Sequence, residues 1–62
     1  MPLITIEGPV LADLAKKRDL VREFTDVAAR AYGFPKEHFV VIIKENPPEN
    51  IGVGGELIRD RG

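Results

Sequence analysis

The chain opens on a short run of alternating faces, Leu3-Ile4-Thr5-Ile6-Glu7. It is rich in β-branched side chains and is stopped by Gly8-Pro9, the pattern of a strand. Alternation puts Leu3, Thr5 and Glu7 on one face and Ile4 and Ile6 on the other. After a connection over 8–12 the period lengthens. Leu20, Phe24, Val27, Ala28 and Ala31 recur at spacings of three and four, with Leu14 and Val21 on the flank, which predicts a helix over 13–32 with this stripe as its core face. Asp13 is placed to cap its start. Gly33 is placed to end it in the left-handed conformation, and Pro35 prevents continuation. Lys16, Asp19, Arg22, Glu23, Asp26 and Arg30 read as the solvated side, where Asp26 and Arg30 are spaced to pair.

Phe39-Val40-Val41-Ile42-Ile43 is the most hydrophobic run and predicts a strand covered on both faces, with Lys44-Glu45 following. Strand, helix, strand makes a β-α-β crossover with parallel strands. One helix covers only one face of such a sheet, so the other face calls for a second subunit. Asn46-Pro47-Pro48-Glu49-Asn50 is a rigid turn. Gly52, Gly54 and Gly55 then suggest a tight hairpin needing positive φ; the lysine and hydroxyl of a phosphate-binding loop are missing after them. A charged tail, Arg59-Asp60-Arg61-Gly62, ends the chain. The expectation is an α/β (α+β) fold: one domain over 1–62, a β-α-β subunit with a C-terminal hairpin, assembled as an oligomer.

Length strengthens that expectation. With 62 residues, the chain buries only about 60% of the surface its unfolded form exposes. Small domains compensate with disulfides, a metal or self-association. There is no cysteine, and the single histidine, His38, does not build a metal site alone. A net charge of −1, from 9 basic and 10 acidic residues, gives no electrostatic footprint for nucleic acid. No apolar run approaches the ~20 residues of a membrane span, and no signal segment is evident. The reading is a soluble, cytoplasmic, self-associating protein.

Chemistry enters at Pro2. If Met1 is removed, as is usual before a small residue, the Pro2 nitrogen becomes a secondary amine whose ring fixes its direction. Desolvation at the start of a strand would lower its pKa toward neutrality, where a general base works best. The plain alternative is a strand-start proline whose missing N–H costs nothing.

The whole run from Pro2 to about Leu57 resembles the 4-oxalocrotonate tautomerase family. The resemblance lies in Pro2 after the initiator, the short first strand, and a helix carrying Leu20-Val21-Arg22-Glu23. It continues in the Val41-Ile42-Ile43 strand ending in Glu45 and, most specifically, in Ile51-Gly52-Val53-Gly54-Gly55-Glu56-Leu57. It implies a homo-hexamer or trimer of dimers. It also implies a cofactor-independent isomerase whose N-terminal proline moves a proton between the enol (or dienol) and keto forms of a 2-oxo acid. The arginines and aromatic that hold dicarboxylate substrates in such enzymes fall on Ala12, Val40 and Ile51 here, so only Pro2 carries over as a catalytic residue. Gly8-Pro9, Lys16-Lys17-Arg18 and Asn50-Ile51-Gly52 are similar to a divergent subgroup. Lys16, Lys17 and His38, with Ile51 at the aromatic's position, are the candidates for substrate binding in place of the missing groups. The competing reading is a non-catalytic oligomeric binding or scaffold domain that kept the fold. Retention of Met1 would favour it, because Pro2 would then be an amide.

Overall fold

The computed structural model describes residues 1–61; Gly62, the end of the charged tail, lies outside the described residues. The body consists of β1 (Leu3–Gly8), α1 (Leu14–Tyr32) and β2 (Val40–Glu45). The two strands are parallel, with Leu3 opposite Val40 and Gly8 opposite Glu45. β2 therefore begins and ends later than the expected 39–43. The Phe39 N–H closes a 3-10 turn over Lys36–His38 onto the Lys36 carbonyl at 3.1 Å, so the ladder starts at Val40, whose N–H bonds the Pro2 carbonyl at 3.1 Å. At the far end the Asn46 N–H reaches the Gly8 carbonyl at 2.9 Å.

Both helix caps fall where the sequence predicts them. The Asp13 carboxylate accepts the Ala15 N–H at 2.9 Å, satisfying one of the unpaired donors of the first turn. Gly33, at φ 73°, closes the helix by donating its N–H to the Ala29 carbonyl at 2.8 Å. The buried stripe is narrower than expected. Leu20, Phe24 and Ala28 are half-buried, on the side where the sheet presents Ile4, Ile6, Val41 and Ile43, whereas Leu14 and Val27 stay 58% and 54% exposed. Val21 and Ala31 are also exposed. A two-stranded sheet accepts only a limited arc of a helix, and the arc centred on Leu20, Phe24 and Ala28 fills it. Asp26 does not pair with Arg30 as its spacing suggested. The turn after Pro35 folds Lys36 back across the helix, and its Nζ lies 2.7 Å from the Asp26 carboxylate.

Beyond a 3-10 turn over Pro48–Asn50, β3 (Gly52–Val53) and β4 (Glu56–Leu57) form an antiparallel hairpin. Gly54 and Gly55, at φ 62° and 86°, are its two central residues. Both are left-handed, as a type I′ turn demands. The Ile58 N–H bonds the Ile51 carbonyl at 2.8 Å across the hairpin base, and the tail continues as a 3-10 turn over Ile58–Arg61.

Among the described residues none is buried. The outer sheet face leaves Leu3, Val40 and Ile42 exposed by 59%, 36% and 40%. The chain measures 45 × 23 × 13 Å with a radius of gyration of 15.3 Å, against about 10.5 Å for a compact globule of this length. The subunit is an extended shape that leaves an apolar sheet face open.

Candidate functional site

Pro2 is half-buried immediately before β1, and its carbonyl is held by the Val40 N–H at 3.1 Å. Pro2 and Phe39 each stand one residue before the first ladder pair, Leu3 and Val40, and both are half-buried, as are Ile4, Ile6, Val41 and Ile43 on the helix-facing side. The Phe39 ring lies 5.9 Å from that of Tyr32 and 6.4 Å from that of Phe34. Tyr32 and Phe34 stack at 5.6 Å with an interplanar angle of 29°, and the His38 imidazole sits 6.3 Å from Phe34. His38 therefore stands at the Pro2 end of the sheet, beside an aromatic cluster that sequence reasoning passed over. The signal was available: Gly33 and Pro35 frame Phe34 where the chain reverses between α1 and β2.

Lys16 and Lys17 lie at the other end. β1 carries the chain ~20 Å from Pro2 to Gly8, and α1 starts beyond it. Within one subunit they are not brought to Pro2. Lys17 is also already engaged: its Nζ donates to Glu45 Oε1 at 2.7 Å, while Glu45 Oε2 accepts the Leu11 N–H at 2.6 Å. The Lys17 hydrogen bond first, and the Leu11 N–H second, hold the Glu45 carboxyl below its ordinary range. This carboxylate fastens the β1–α1 connection, the helix start and the end of β2 to one another. Beside it a half-open, mostly apolar cleft of about 360 Å³ is lined by Ile6, Val10, Leu11, Leu20 and Ile43, with Glu7 and Lys44 at its edge. Lys16 is exposed. Asp26 is held below its ordinary range chiefly by the hydrogen bond from Lys36.

Ile51 is half-buried at the hairpin base, with its N–H on the Pro48 carbonyl at 3.3 Å. Ala12 is exposed in the connection, and Val40 belongs to the open sheet face, not to the helix-covered one. Among the described residues no cluster of three His, Cys, Asp or Glu side chains is placed to hold a metal ion, and no helix is long and apolar enough to cross a membrane.

The family model described as tautomerase enzyme matches residues 2–61. A probable tautomerase of Listeria innocua is 38% identical over 55 residues, covering 89% of this chain and 90% of that protein. The crystal structure of DmpI from Archaeoglobus fulgidus is 46% identical, with a TM-score of 0.77 over 95% of this chain and 100% of its own. A heterohexameric 4-oxalocrotonate tautomerase from Chloroflexus aurantiacus is 29% identical, with a TM-score of 0.79 over the full length of both chains, 100% of each. With its β-α-β body, its C-terminal hairpin and a match that begins at Pro2, the chain belongs to the tautomerase family.

Proposed function

We propose that this chain is a cofactor-independent keto–enol tautomerase of 2-oxo acids, with the Pro2 amine, freed by removal of Met1, as its general base. Family membership supplies the reaction class. The observation that supports Pro2 is its position: a half-buried residue whose carbonyl is tied to β2, so that its nitrogen has one direction. In the enol-to-keto direction the amine takes the hydroxyl proton, the oxygen electrons close the carbonyl, and the ammonium returns the proton to carbon. His38 is the candidate for the substrate carboxylate within the subunit; Lys16, Lys17 and Ile51 would reach a Pro2 only from another copy.

Assembly of identical chains, as a hexamer or trimer of dimers, belongs to the same reading. The open face bearing Leu3, Val40 and Ile42 supports it, as does the heterohexameric relative. A second copy over that face would also help exclude water from the base.

The test is one assay on three proteins: processed, Met1-retaining and Pro2→Ala, acting on a simple enol of a 2-oxo acid. The processed form is expected to be active. Pro2→Ala is expected to lose most of the rate, of the order of 10²–10⁴-fold for a displaced acid–base group. The Met1-retaining form loses more, because an amide has no basic lone pair. Equal rates for all three above buffer would remove Pro2 from the mechanism.

A further inference from the structure

A shallow depression of about 440 Å³ lies on the outer side of α1 and plays no part in the chemistry at Pro2. Asp26, Ala29 and Arg30 line it from the helix, and Phe34, Pro35 and Lys36 from the turn that follows. At about 3.6 residues per turn, Asp26 and Arg30 stand on the side of α1 opposite Leu20, Phe24 and Ala28, so the depression opens away from the sheet. Its charges are unevenly matched. Asp26 and Arg30 are spaced to pair, but the Asp26 carboxylate is taken by the Lys36 ammonium at 2.7 Å. Arg30 is exposed, and among the described residues its guanidinium has no carboxylate within ion-pair distance. Two cations and one carboxylate leave a single positive charge. Beside it stands the Phe34 ring, 47% exposed and stacked on Tyr32 at 5.6 Å. Gly33, in the left-handed conformation, and Pro35 fix the chain on either side of that ring.

We propose that this depression is a second acid-binding site, for a small carboxylic acid with a flat apolar body, its carboxylate on the Arg30 guanidinium and its body against Phe34 and Pro35. The site is separate from Pro2 and holds whether or not Pro2 is the base. A guanidinium presents paired N–H donors in one plane, the match of a carboxylate's two oxygens. A monoanion balances the single net charge. A phosphate group carries up to two negative charges and would set the surplus against Asp26. A ring lying offset on Phe34 gains aromatic contact that an alkyl chain does not. The volume falls within the range of small-molecule sites, about 300–1,000 Å³. Because the depression is shallow, binding rests on these two contacts, with a Kd on the order of 1 mM.

The experiment titrates hydrocinnamate, which has no enol to convert, into processed wild type at low salt. NMR follows the Arg30 side-chain N–H and the Phe34 ring, with the Ile4 methyl groups as the reporter of the Pro2 end of the sheet. Saturable shifts at Arg30 and Phe34 are expected. Acetate, which lacks the body, 3-phenylpropanol, which lacks the charge, and inorganic phosphate should all bind more weakly. Arg30→Gln should weaken hydrocinnamate about ten- to a hundredfold, the loss of charge-assisted hydrogen bonds. Arg30→Lys should restore only part of it, because an ammonium keeps the charge without the fork. Phe34→Leu should cost about three- to tenfold. All three variants alter exposed side chains, and circular dichroism checks that they fold. Hydrocinnamate that binds Arg30→Gln as it binds wild type, or that moves Ile4 alone, overturns the site. So do Arg30 and Phe34 signals that stay still in wild type, as they would if another copy of the chain covered the depression. Pro2→Ala should bind hydrocinnamate as wild type does, so failure of the base and failure of this site are read separately.

Discussion

The Glu45 carboxylate accepts from the Lys17 ammonium at 2.7 Å and from the Leu11 N–H at 2.6 Å. It was visible as the polar end of an apolar strand, but its partners lie 28 and 34 positions away, and no local pattern connects them. Lys17 was for the same reason read as a candidate for substrate, although its ammonium is spent on Glu45. The pair has a pH signature. Glu45 has a folded pKa below its ordinary 4.5, so its stabilisation is fully present above that value and is lost as the pH falls through the depressed folded value. The melting temperature of wild type, followed from neutral pH down to about pH 3, should fall more steeply at the acid end than that of Glu45→Gln. At neutral pH the variant should be the less stable of the two, having exchanged an ion pair for a weaker amide contact. Superimposable acid limbs would show that the Lys17 contact contributes nothing in solution. Pro2, by contrast, was legible because its chemistry follows from a neighbour in the chain, Met1, and needs no distant partner to be noticed.

Elements were more legible than contacts, because caps and turns are local. Asp13, Gly33 and the Gly54-Gly55 pair each act within a few residues of themselves, and each is used as its position implied. Strand ends were less legible: β2 begins at Val40 because a 3-10 turn claims the Phe39 N–H, a choice that the run of apolar side chains does not record. The glycines allow a test of this local logic. A Cβ added to Gly55 meets nothing within 4 Å, yet its φ of +86° is one that side-chain-bearing residues rarely adopt. Gly55→Ala should therefore cost ~1–2 kcal/mol through backbone conformation alone. Gly8 has equal open space and no positive φ, so Gly8→Ala should be neutral or stabilising by up to ~1 kcal/mol, mainly by restricting the unfolded chain. Denaturation midpoints of both, at equal protomer concentration, decide the matter. A Gly55→Ala protein as stable as wild type would mean that the hairpin turn is not held in the type I′ form.

For the whole molecule the governing fact is that one chain leaves an apolar sheet face open and buries none of its described residues. The alternation along β2 separates two kinds of damage. Val41 points toward the helix, and Ile42 points outward, 40% exposed in the subunit. Val41 is half-buried beneath the helix, so Val41→Glu should destabilise the subunit itself at every protein concentration, a partly desolvated charge costing up to several kcal/mol. A charge at Ile42 meets water in the lone subunit and becomes unpaired only when a second copy covers the face. Ile42→Glu should therefore lose the assembly first. Because the extended subunit has so little core of its own, helical signal should disappear together with the assembly and be partly restored at higher protomer concentration. The wild type should show the same coupling more weakly, with a melting temperature that rises with concentration, as expected when folding and association are linked. Sedimentation and circular dichroism on the same samples test this. Ile42→Glu sedimenting as a monomer with undiminished helical signal at micromolar concentration would establish that the subunit stands alone. The open sheet face would then need another explanation than self-association.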